Sequence, residues 1–124
     1  MIELEKLTVK DILYSLDKKE YSCSELIKSY INRIEEIDKY NLVSEKLFNE
    51  ALLLAKNSDR KKKEDRLPLE GIPIAVKDIF CTKGNRTTAS SNILKSFVSP
   101  YESTVTNNLK EVGVIIICKT NMDE

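Results

Sequence analysis

Five residues near the C-terminus, Val114-Ile115-Ile116-Ile117-Cys118, constrain the fold more than any other stretch. The run is continuously apolar and its first four residues are β-branched. With no polar alternation, it suits a strand covered on both faces. The residues before it supply a frame. Pro68 and Gly71 bound a second strand near Ile72–Val76. A short helix is expected from near Ser103, with Val105, Leu109 and Val112 on its apolar side and Gly113 as its C′ residue. Strand, loop, helix and strand in this order point to a crossover unit in a mixed or parallel sheet.

The first half reads as helical. Thr8 and Asp11 have the spacing of a capping box, and Leu7 and Ile12 that of a hydrophobic staple. Ile12, Leu13 and Leu16 then share one face. Ser22 and Glu25 open a second helix, in which Leu26, Ile27, Tyr30, Ile31, Ile34 and Ile37 follow the helical period. A third helix is expected from near Ser44 through Leu47, Phe48, Ala51, Leu52 and Ala55 to about Ser58. The fold class is therefore α/β, in three parts: a helical region over 1–58, a charged linker over 59–70, and the start of a sheet over 71–124. Arg60–Lys63 could touch nucleic-acid phosphates, but such runs usually solvate a linker.

Composition excludes several classes. Twenty basic and twenty acidic residues cancel, so no net field draws the chain to nucleic acid or an anionic membrane. The charged N-terminus lacks the apolar core of a signal peptide, and the reading is cytoplasmic. Cys23, Cys81 and Cys118 form neither a C-x-x-C pair nor a zinc spacing. Histidine is absent, which excludes a Ser-His-Asp triad and any His-bearing metal site in these residues. A base must be Lys, Asp, Glu, Tyr or a thiolate. No glycine-rich phosphate motif is present, so no cofactor site and no metal site are expected.

Lys77 is the candidate for chemistry. It lies near the end of the apolar stretch GIPIAVKDIF, residues 71–80. Burial disfavours a charged amine, and a neutral one can act as a general base. Equally, its stem could cover apolar surface while the head reaches water. Asp78 reads as a turn acceptor, and neighbouring strand residues face opposite ways, which disfavours a Lys77–Asp78 pair. The hydroxyls of Thr87–Ser91 could line a polar pocket. KTNMDE, residues 119–124, follows a strand directly, where sites gather in open α/β folds.

The blocks PLEGIPIAVKDIFCTKG, RTTASSNIL and PYESTVTNNLKEVGVIIICKTNMDE, in that order, resemble the amidase signature family. Within it, the likeness is nearest to the A subunits of glutamyl-tRNA(Gln) amidotransferases. The resemblance implies N-terminal helices followed by the first strands of that family's mixed sheet, truncated. It implies a Ser–cis-Ser–Lys triad, whose lysine lies in the motif matched by AVKD, making Lys77 the catalytic base. By the same resemblance, Lys77 draws a proton through the cis-serine from a serine that attacks glutamine, giving an acyl-enzyme and ammonia. The ammonia would convert Glu-tRNA(Gln) to Gln-tRNA(Gln). ATP and Mg would be used by a B subunit, which also holds most of the tRNA, and a small C subunit would brace the pair.

Both serines belong, in the family, to a Gly/Ser-rich segment after the KTNMDE block. Ser90, Ser91 and Ser103 match neither position. The resemblance therefore implies an N-terminal fragment that carries the base without its nucleophile and is inactive alone. Alternatives are a fragment of another amidase acting on small amides, or a non-catalytic remnant that binds partners. A truncated sheet is expected to leave Val114–Cys118 incompletely covered, with poor solubility or partial disorder.

Overall fold

A computed structural model describes residues 2–123. Both capping boxes form. Thr8 caps α1 (Val9–Lys18) and Ser22 caps α2 (Cys23–Ile37), each with the N3 carboxylate returning to the cap amide. These reciprocal bonds satisfy amides that have no partner within the helix.

The expected third helix starts later. Val43–Lys46 is a strand, β1, and the helix α3 spans Phe48–Arg60. Local helix propensity loses here to a tertiary ladder. β1 pairs antiparallel with β3 (Ile115–Thr120), matching Val43 with Thr120 and Lys46 with Cys118. The Leu47 amide extends the ladder by donating to the Ile117 carbonyl at 2.9 Å. β3 thus gains partners for one edge, and the parallel strand β2 (Pro73–Lys77) takes the other. The sheet is mixed, in the order β1-β3-β2. Between β2 and β3 the chain passes through a long loop and α4 (Thr104–Glu111), capped by Ser103 and followed by Gly113 at φ +97°.

Val114 to Cys118 are all buried, contrary to the incomplete cover expected of a truncated sheet. The reason is that both faces of β3 are packed. Ile115 and Ile117 join a cluster with Ile12, Leu26, Ile27 and Ala51 of the three N-terminal helices. Ile116 packs on the other face with Leu47 and Val76. Each such burial contributes on the order of 1.5–3 kcal/mol. Several large apolar side chains left in water lie elsewhere, in the β2–α4 loop, among them Ile79, Ile93 and Val98. No helix among the described residues is long and apolar enough to cross a membrane.

In the charged stretch, α3 reaches Arg60 and a single 3-10 turn covers Lys63–Asp65. Lys61 and Lys63 are engaged by Glu70 at 3.0 Å and Asp17 at 2.6 Å. This is the solvated structural role expected of such a run.

Candidate active site

The carboxyl ends of β2 and β3 bring three sequence blocks together: Lys77–Asp78, the Thr87–Ser91 loop, and Lys119–Asp123. Lys77 is the last residue of β2, with its side chain 39% exposed. Its amine donates to the Asp123 carboxylate. That bond holds the Asp123 carboxyl below the usual carboxylate range.

Asp78 is a turn acceptor, as its place after a strand implies, and it does more. Its Oδ2 accepts from the Thr88 hydroxyl at 2.5 Å and the Thr88 amide at 3.2 Å. Its own amide donates to Thr120 O at 2.9 Å, and its carbonyl accepts from the Ala89 amide at 3.0 Å. Asp78 therefore closes the loop back onto the sheet. It does not pair with Lys77.

Its charge partner is Lys119, whose Nζ lies 3.2 Å from Oδ1. Lys119 is fully buried. Its ammonium donates to Phe80 O at 2.9 Å, Arg86 O at 3.1 Å and Thr87 Oγ1 at 2.6 Å. An ammonium has three donors. All three are used by these oxygens, so Asp78 Oδ1 contributes charge rather than a fourth hydrogen bond.

Simple alternation along β3 would put Lys119 on the helix side with Ile115 and Ile117. The β2–β3 register prevents this: Ile74 faces Ile116 and Ala75 faces Cys118, so Ile117 is an extra residue. Such a bulge re-aims the side chains beyond it. Lys119 now stands beside Val76, on the loop side with Ile116. Sequence reasoning missed Lys119 as a separate element, treating it as the start of a polar loop. The only trace of it was a cation directly after five buried residues.

The Thr87–Ser91 loop forms no open nest of amides. Ala89 and Ser90 both adopt left-handed backbone, at φ +46° and +55°. For non-glycine residues this costs of order 1–3 kcal/mol each unless the surroundings enforce it. Here the Ser90 amide donates to Thr88 Oγ1 at 3.3 Å and the Ser91 amide to Thr88 O at 2.8 Å. Ser90 Oγ accepts from the Met122 amide and donates to Asn121 Oδ1, each at 3.3 Å. Asn121 in turn donates to the carbonyls of Asn41 and Leu42. The two loops and the end of β3 are thus one network.

Cys23 and Cys118 take no part. Burial pushes the Cys23 thiol up to about 12 and the Cys118 thiol to about 11, far from a reactive thiolate. Among the described residues, no group of three His, Cys, Asp or Glu side chains could hold a metal ion.

Lys77 ends its strand beside a loop of hydroxyls and amides, with Asp123 as its partner, and comparison with known proteins gives the family of the fold. The Amidase family profile matches residues 25–124. This chain belongs to the amidase family. Among curated amidase relatives, the A subunit of the glutamyl-tRNA(Gln) amidotransferase of Rickettsia bellii (strain OSU 85-389) is 46% identical over the whole chain. The chain spans about a quarter (25%) of that relative's length. Solved amidase folds superpose closely. The peptide amidase from Stenotrophomonas maltophilia has a TM-score of 0.87 at 27% identity, over 98% of this chain and 26% of its own. The A subunit of the glutamyl-tRNA(Gln) amidotransferase from Thermotoga maritima has a TM-score of 0.74 at 26% identity, over 100% of this chain and 25% of its own. The mixed α/β architecture expected from the sequence is therefore that of amidases.

Proposed function

We propose that Lys77 is the general base of a serine amidase, and that this segment serves the glutamine-hydrolysing subunit of a glutamyl-tRNA(Gln) amidotransferase. The observation that carries the reading is the place of Lys77. It ends a parallel strand in an amidase fold, beside a loop and a strand end that are hydrogen-bonded into one network. Such carboxyl ends are where α/β sheets gather their sites. In this reading Lys77, as the free amine, takes the proton that leaves the nucleophilic serine through the cis-serine. The serine attacks glutamine, and ammonia leaves. Ser90, with its hydroxyl committed to Asn121 and Met122, is a support of the loop rather than a nucleophile. No residue of the chain is assigned as nucleophile, and the 124-residue chain by itself is expected to release no ammonia. The identity to an amidotransferase A subunit supports the subunit role; B and C subunits as partners, work in the cytoplasm, and ATP and Mg handled by the B subunit are what the family resemblance adds to the proposal.

The test places residues 1–124 in the matching quarter of the Rickettsia bellii protein and assays glutaminase activity with B and C subunits present. Lys77→Ala is expected to lower turnover by about 10²–10⁴-fold, the usual contribution of a general base. Activity retained at a substantial fraction would remove Lys77 from the mechanism.

A second reading, an amidase acting on small amides without tRNA, is favoured by one observation: the backbone superposes better on the peptide amidase than on the Thermotoga protein. Partner-independent turnover of simple amides would select it.

A further inference from the structure

We infer that Lys119 is a positioning residue, acting through the backbone to hold the Lys77 amine in place; the inference rests on the reading of Lys77 as base. The two lysines occupy neighbouring strands but opposite faces, because Val76 pairs with Lys119 and Lys77 with Thr120. Lys119 therefore cannot serve Lys77 by touching it. What Lys119 holds is the chain on Lys77's C-terminal side. Its ammonium joins Phe80 O, three residues beyond Lys77, to Arg86 O and the Thr87 hydroxyl at the far end of the same excursion. Asp78, the residue next to Lys77, receives the charge and binds Thr88 in turn. One buried cation thus pins both ends of the loop to β3. The left-handed pair Ala89–Ser90 follows closely on the pinned end and reaches Asn121 and Met122, one residue short of Asp123, the partner of Lys77. The direction of the Lys77 side chain is set by residues on both sides of this clasp.

A buried lysine–aspartate pair is a costly way to close a loop, since replacing both members by apolar side chains of similar volume often gives equal stability. A fixed geometry is what an ammonium adds: three directed bonds and one charge contact, aimed at points that a hydrophobic contact would leave free to slide. Catalytic groups need this kind of support, because small misplacements cost large factors in rate.

The experiment uses the 124-residue chain. Lys119→Met is expected to speed amide exchange at Thr88 and Ala89 by about tenfold or more, while Ile27 and Ile31 in α2 keep wild-type rates, as local opening permits. In the same samples, the acetylation rate of Lys77 relative to exposed Lys10, read by mass spectrometry, is expected to shift. Equal acceleration in loop and helix would reduce Lys119 to general stability and overturn the inference. A loosened loop with an unchanged Lys77:Lys10 ratio would overturn it too. If Lys119→Met does not fold, Thr87→Val removes one of the three bonds without changing shape. It should give the same pattern at smaller size, with Thr87→Ser behaving as wild type. Failure of the base reading is separable: the Lys77→Ala enzyme would stay active while Lys119→Met still shifted the ratio.

Discussion

Lys77 and Lys119 sit at the ends of two neighbouring parallel strands, one register step apart. One is 39% exposed and holds a single carboxylate that itself faces water. The other is fully buried and holds two carbonyls, a hydroxyl and a carboxylate. The difference follows from what lies over each face at the strand ends. On the face of Lys119, the returning loop brings oxygen atoms that would otherwise have no donor. On the face of Lys77, its charged partner is Asp123, on the chain leaving β3. A buried cation needs every donor used, so its position is rigid. The half-exposed Lys77 amine has a single bond of its own, to Asp123, so its direction depends on the segments that carry the two residues. One residue type is thus buried in one place and half-exposed in the other, according to what covers each face of the sheet.

The comparison is broken most severely by Lys119→Met. Removing one member of a buried pair leaves Asp78 uncompensated, and a loss of about 3–5 kcal/mol is expected in urea unfolding. Asp78→Asn added to Lys119→Met removes the stranded charge and retains an oxygen for Thr88. The double variant should recover part of that loss, as a positive coupling in a double-mutant cycle. A purely additive result would mean that the two side chains do not act as a pair.

Cys118 reports the same contrast by chemistry. Burial raises its thiol to about 11, so iodoacetamide at neutral pH should label it slowly in the native chain. Labelling should quicken in Lys119→Met and stay unchanged in Lys77→Met. The smallest effect is expected at Asp123. Its carboxyl is depressed by the bond from Lys77, so the pair is intact above the ordinary carboxylate pKa and is lost as pH falls through the lowered value. In Lys77→Met the Asp123 titration, followed by carbon NMR, should move upward, with no measurable change in the urea midpoint because an exposed pair contributes little.

Much of the architecture was legible because it is local. Thr8, Ser22 and Ser103 each cap the helix they announce, and Gly113 takes the left-handed turn before β3. The apolar run Val114–Cys118 became the central strand, because a stretch with no polar face is stable only between two layers. β1 was not legible. Val43–Lys46 has no strand pattern of its own, and it is extended only because the edge of β3 offers it hydrogen bonds. Cover on both faces of β3 was misjudged for a related reason, since the packing of Ile116 against Leu47 and Val76 depends on where β1 delivers the chain.

By itself, the sequence determined three helices' caps, the crossover from β2 to β3, the amidase family and Lys77 as the residue to suspect. Each rests on residues a few positions apart, or on blocks whose order is preserved. Only the tertiary structure decided that Lys119, 42 residues beyond Lys77, points into the loop rather than into the helices. That choice turns on one extra residue at Ile117, and a bulge exists only when two strands have already met.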